Sequence, residues 1–171
     1  MAKNVKARQS AALATPTDLG ANATKDISGG LNILEADVLA LWMKTKNFHW
    51  HLAGPRFRDY HLLFDEQAGA ILESIDPLAE RVRKLGGTTI RSIGHIGRLQ
   101  TIKDDDDDFV PTSEMIQRLL LDNRHIAEQQ RRAIGVCDSL GDTPTGNLLQ
   151  EILDQTERRI WFLYELNQAD A

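Results

Sequence analysis

The chain has 171 residues, 20 Lys and Arg against 25 Asp and Glu for a formal net charge of −5, and 42% hydrophobic residues. That content suits one domain with a substantial core, no apolar run is long enough to span a bilayer, and the polar N-terminus lacks the apolar block of a signal peptide. The single cysteine, Cys137, excludes an intrachain disulfide and fits a reducing compartment, so a cytoplasmic protein is expected.

Residues 1–27 are rich in Ala, Thr, Asn and Lys and lack an apolar period, so they read as a flexible arm, with residues 28–171 as the folded domain. Lys3, Lys6 and Arg8 all precede the first acid, Asp18. On an acidic chain this local positive charge is suited to DNA phosphates, with binding that weakens steeply in salt; an ordinary solvated terminus is the plainer alternative.

The first helix is expected from about Gly30 to Leu52. Leu34, Val38, Leu41, Thr45, Phe48 and Leu52 recur at three- and four-residue steps before Gly54-Pro55 ends it. His49 lies near its C-terminus, and His51 reads as a surface neighbour.

The second helix is expected from Pro55–Phe57 to Gly86-Gly87. Tyr60, Phe64, Ala68, Ile71, Leu78 and Val82 form its apolar stripe. His61, Asp65, Asp76 and Glu80 fall on another strip, about 120° round. His61 and Asp65 are four apart, as are Asp76 and Glu80, so each pair can converge on an ion. The pairs lie fifteen residues apart, about 22 Å along the axis, whereas bonds to a metal are about 2.0–2.2 Å long. One helix cannot close such a site. Two copies crossing antiparallel on a two-fold axis could, with Gly69 and Leu72 at the crossing, giving two sites per dimer. Pro77 inside this helix should remove a hydrogen bond to residue 73 and kink it.

The connection from Gly87 to Pro111 is too long for a turn and contains a candidate short helix around Ile90, Ile93 and Ile96, where His95 suits packing at an interface. Asp104 to Asp108 read as a solvated loop, with a patch that attracts metal cations as the weaker alternative. The third helix follows Pro111-Thr112-Ser113 and ends at Gly141, with His125 off its apolar stripe and exposed. The fourth opens at Thr143-Pro144. Two antiparallel helix pairs joined by one long crossover make an all-α, ferritin-like four-helix bundle with a short extra helix in the crossover.

The series His49-Trp50, His61, Asp65, Asp76 and Glu80, spaced twelve, four, eleven and four residues, resembles the Dps family, the miniferritins named as DNA-binding proteins from starved cells. Length and layout agree from about Leu31 to Asn167. The resemblance implies a ferroxidase with His49, His61, Asp65, Asp76 and Glu80 as metal ligands, two irons per inter-subunit site. It also implies hydrogen peroxide or oxygen as oxidant and a hollow homododecamer that stores ferric mineral and protects DNA. Trp50 is similar to a family tryptophan that would intercept radicals; simple interface packing is the alternative. Asp142, Asn147 and Glu151 match acidic residues lining a three-fold ion pore, with Asn147 replacing the usual acid, and ordinary helix-start polarity as the other reading. Glu-x-x-His, the signature of di-iron sites inside one bundle, is absent from the sequence, which separates it from bacterioferritin-like proteins. A mainly structural, DNA-compacting protein with weak metal oxidation is the remaining alternative.

Overall fold

The structure is a computed structural model, described here for residues 12–168; Lys3, Lys6 and Arg8 lie outside the described residues. The helices are α1 (Ala21–His51), α2 (Phe57–Glu73), α3 (Ile75–Lys84), α4 (Ile93–Leu99), α5 (Thr112–Leu140) and α6 (Thr143–Leu166). The α1–α2 hairpin and the α5–α6 hairpin pack side by side, and α4 rides in the crossover against α1. This is the expected four-helix bundle.

The core forms where the periodic stripes meet. Leu34, Leu41, Phe48, Phe64, Leu119 and Leu149 are each at most 2% exposed. Gly54, at φ +122°, turns the chain between α1 and α2, a backbone that other residues rarely adopt. Gly141, at φ +77°, closes α5 in the left-handed conformation, with the Asp142 amide bonded back to the Cys137 carbonyl.

The expected second helix is broken. Ser74 separates α2 from α3, and its amide bonds to the Ile71 carbonyl at 3.2 Å, an i−3 contact. Pro77 has no N–H to give the Glu73 carbonyl, so the break falls where that bond is missing. The first helix also starts at Ala21, not near Gly30. Leu13 and Thr15, in the expected arm, are tied down: Arg83 Nη2 donates to the Leu13 carbonyl and Thr15 Oγ1 donates to the Arg83 carbonyl, both at 2.9 Å.

Polar residues of α1 that a core helix would ordinarily avoid hold the crossover in place. Asn32 Nδ2 donates to the Thr88 carbonyl at 2.9 Å, and Glu35 accepts from Thr89. Asp37, fully buried, accepts from the Thr101 hydroxyl and the Ile102 amide, and from Gln129 of α5. Asn47 donates to the Asp105 carbonyl at 3.1 Å. A buried carboxylate with this many donors is satisfied, and it fixes the path of the loop.

The same network corrects two expectations. His125 is half-buried, and its Nε2 lies 2.8 Å from both Thr101 Oγ1 and Gln129 Nε2. The aspartate run is only partly solvated: the Asp105 side chain is 4% exposed and accepts from Arg118, which also reaches Asp107 and Glu114.

A candidate metal centre split between two helix ends

His49, at the end of α1, and His61, in the second turn of α2, meet across the short hairpin. Their rings stack with centroids 3.8 Å apart, and Phe57 stacks on His61 at 4.9 Å. Each Nδ1 faces the other residue's backbone carbonyl: His49 Nδ1–H donates to the His61 carbonyl at 2.8 Å, and His61 Nδ1–H to the His49 carbonyl at 3.0 Å. A carbonyl only accepts, so each Nδ1 must carry the proton. In the neutral imidazole the lone pair then sits on Nε2, the atom available to a metal. One reciprocal pair of hydrogen bonds sets both tautomers and both ring orientations.

Asp65 stands next to them, with Oδ1 3.9 Å from His49 Nε2 and its side chain 59% exposed. Lys46 of α1 donates to the same oxygen at 2.7 Å. That hydrogen bond and charge hold the Asp65 carboxyl below the usual carboxylate range. Lys46 also lies 5.8 Å over the Trp50 ring. Trp50 is 55% exposed and stands outside the histidine stack, lining a cleft with Asp104 to Asp108. Lys46 did not figure among the expected site residues, although its i−3 spacing to His49 places it on the same helix face.

Asp76 and Glu80 are not brought to the histidines. Both are exposed on the α3 surface, and among the described residues Glu80 meets only Lys84, at 3.2 Å. Among the described residues, no three His, Cys, Asp or Glu side chains of one chain form a metal site. Leu72, between the two halves, is 49% exposed, and Gly69 has open space beside it. The strip therefore carries imidazole donors at one end, carboxylates at the other, and an uncovered small and apolar middle.

The expected pore residues separate. Asp142 is 1% exposed and caps α6, accepting from the Thr145 amide at 3.2 Å. Arg81 of α3 donates to the same carboxylate at 2.6 Å. With a cap bond and a buried ion pair, Asp142 is a structural tie between α3 and α6 and does not face solvent as a pore lining requires. Asn147 and Glu151 are exposed. His51 is exposed too, its Nδ1–H donating to the Asn47 carbonyl at 2.9 Å.

Residues 29–170 match the ferritin-like domain family. A DNA protection during starvation protein of Agrobacterium fabrum is 31% identical over 149 residues, 87% of this chain and 92% of that one. The chain belongs to the Dps family of ferritin-like proteins. DpsC from Streptomyces coelicolor superposes with a TM-score of 0.88 at 31% identity, covering 92% of each chain. The Dps protein from Vibrio cholerae, described as a member of the ferritin-like diiron-carboxylate superfamily, gives a TM-score of 0.85 at 25% identity, over 91% of this chain and 98% of that one.

Proposed function

We propose that the protein is a ferroxidase and iron-storage protein whose site is completed between subunits. Ferrous iron, the substrate, is taken between His49, His61 and Asp65 of one subunit and Asp76 and Glu80 of the partner subunit. The observation that carries this reading is the reciprocal histidine bond, which presents two Nε2 lone pairs while Asp76 and Glu80 of the same chain stay away. Imidazole and carboxylate donors suit ferrous iron, and the hard oxygens favour the ferric product. With two irons per site, one hydrogen peroxide accepts both electrons: two Fe²⁺, H₂O₂ and two protons give two Fe³⁺ and two waters. Pairing the electrons avoids releasing hydroxyl radical. Lys46 competes with iron for Asp65 Oδ1, the oxygen 3.9 Å from His49 Nε2, so a cation bound there exchanges one positive charge for another.

The family resemblance extends this to a homododecamer that stores ferric mineral, with Glu151 and Asn147 as the remaining pore residues. The names of the relatives and the charges at Lys3, Lys6 and Arg8 support sequence-independent DNA binding through the arm, in the cytoplasm. Because Leu13 and Thr15 are bonded to Arg83, the arm would start from a fixed point on each subunit. Many weakly charged arms acting together raise apparent affinity. Deleting residues 1–10 should abolish gel shifts at low salt and leave iron oxidation intact; DNA binding that ignores salt would place the contact elsewhere.

The decisive experiment mixes two inactive variants. His61→Ala and Asp76→Ala should each fail to oxidise iron alone. In a mixed dimer, one of the two sites keeps all its ligands, so stopped-flow oxidation should partly recover. No recovery in verified heterodimers would place the site within one chain.

A further inference from the structure

A cavity of about 210 Å³ lies between α2 and α6, lined by Glu66, Gln67, Gln155, Arg158, Arg159 and Phe162. Gln67 is two residues beyond Asp65, about 200° round the helix, so this wall faces away from the histidine pair. Arg159 is 7% exposed. Its Nε donates to Asn123 Oδ1 and its Nη2 to Thr156 Oγ1, both at 2.9 Å. Both partners are neutral. Among the described residues, no carboxylate lies within ion-pairing distance of this guanidinium, and its Nη1 makes no hydrogen bond.

A guanidinium held in a neutral cradle keeps the cost of leaving water without the attraction of a counter-charge. Burial accordingly pushes its pKa down to about 10. The opposite wall supplies an independent observation. Gln67 is 4% exposed, and its amide nitrogen is buried without a hydrogen-bond partner. At the rim, Arg158 lies 5.1 Å over the Phe162 ring and only loosely meets Glu66, at 3.7 Å. The lining thus offers two guanidinium groups and two amides against one carboxylate.

We propose that this cavity binds a small oxyanion of the phosphate class, with Arg159 as its deep anchor, the Gln67 amide as a neutral donor and Arg158 as the rim cation. The planar guanidinium fork matches oxygen pairs on such an anion. The cavity is smaller than the roughly 300–1,000 Å³ usual for organic ligands, which favours an inorganic anion over a nucleotide. Occupancy supplies the missing counter-charge, and the site is separate from the iron ligands.

The probe is inorganic phosphate, titrated calorimetrically into the assembled full-length protein at ionic strength held constant with NaCl. Saturable binding of one phosphate per chain is expected. Arg159→Met, an unbranched apolar replacement, should weaken it at least about tenfold, the range expected for losing a hydrogen bond to a charged group. Gln67→Leu should weaken binding about fivefold and provides the test if Arg159→Met does not assemble. A wild-type assembly with no saturable phosphate binding would overturn the proposal, as would a carboxylate of a neighbouring subunit filling the cavity. Unchanged affinity in both Gln67→Leu and Arg158→Gln would overturn it too.

Discussion

The two ends of the α2–α3 strip both carry candidate metal donors and are built in opposite ways. At the His49–His61 end, each imidazole is held by a carbonyl of the other's residue and both rings are stacked. At the Asp76–Glu80 end, the carboxylates are exposed and Glu80 pairs with a neighbouring lysine on its own helix. An imidazole must have its proton on the correct nitrogen before it can ligate, so pre-setting it within the chain is useful. A carboxylate has no tautomer to choose and can be oriented by the partner surface. On the proposed reading, such a division would let one chain fold with half a site while leaving the other half to assembly.

The largest expected effects sharpen that contrast. His49→Ala and Glu80→Ala should each slow iron oxidation by more than about tenfold, a loss that even supporting partners of metal ligands can produce. They should differ in stability. His49 is buried in the stack, so its loss should lower the melting temperature. Glu80 is exposed, and its removal should stay within about 0.5 kcal/mol of wild type. Equal destabilisation by both would remove the distinction between a pre-set half and a waiting half.

Asp142 and Glu151 extend the comparison to the start of α6. Asp142→Ala leaves Arg81 partly buried without its partner and strips the helix cap, and should cost about 3 kcal/mol in denaturant unfolding. Glu151→Gln should leave unfolding unchanged and slow iron uptake at low ionic strength. If Asp142→Ala slowed uptake without loss of stability, the carboxylate would belong to an ion path after all.

Much of this was readable from residue spacing, and what was not depended on distant partners. The 3.6-residue stripe of Tyr60, Phe64, Ala68, Ile71, Leu78 and Val82 predicts the buried face of α2 and α3, and Pro77 predicts a kink in it. The start of α1 was hidden because Ala21 to Asp26 are polar or small, with no apolar period before Ile27. Asp37 looks like a surface acid until Thr101, 64 residues away, folds onto it. Asp142 looks like an acid at a helix start, and only Arg81 of another helix reveals it as a buried tie. At the metal centre, spacing marks candidate ligands but does not show that Lys46 already occupies Asp65.

Lys46 gives the next prediction. Its ammonium competes for the Asp65 oxygen that faces His49 Nε2, so Lys46→Met should tighten binding of ferrous iron or zinc severalfold. The gain should shrink as salt rises, since it removes a charge–charge competition at an exposed carboxylate. Weaker binding in this variant would mean that Lys46 positions Asp65 and does not compete for it.

The smallest effect is expected from the break between the two halves. Ser74 interrupts the helix because Pro77 has no amide hydrogen for the Glu73 carbonyl. The axis of α3, carrying Asp76 and Glu80, is thereby free to depart from that of α2, which carries His61 and Asp65. In the proposed pairing of two chains, that departure would set how closely one chain's carboxylates approach the other's imidazoles. Pro77→Ala restores the missing donor and allows one continuous helix. Stability should change by no more than about 1 kcal/mol, because the residue is exposed and the restored bond lies at the surface. Assembly should persist, while iron oxidation should slow severalfold as the carboxylates lose their approach. Unchanged oxidation kinetics, with circular dichroism showing added helix, would make the break a local accident of proline and not a feature of the site.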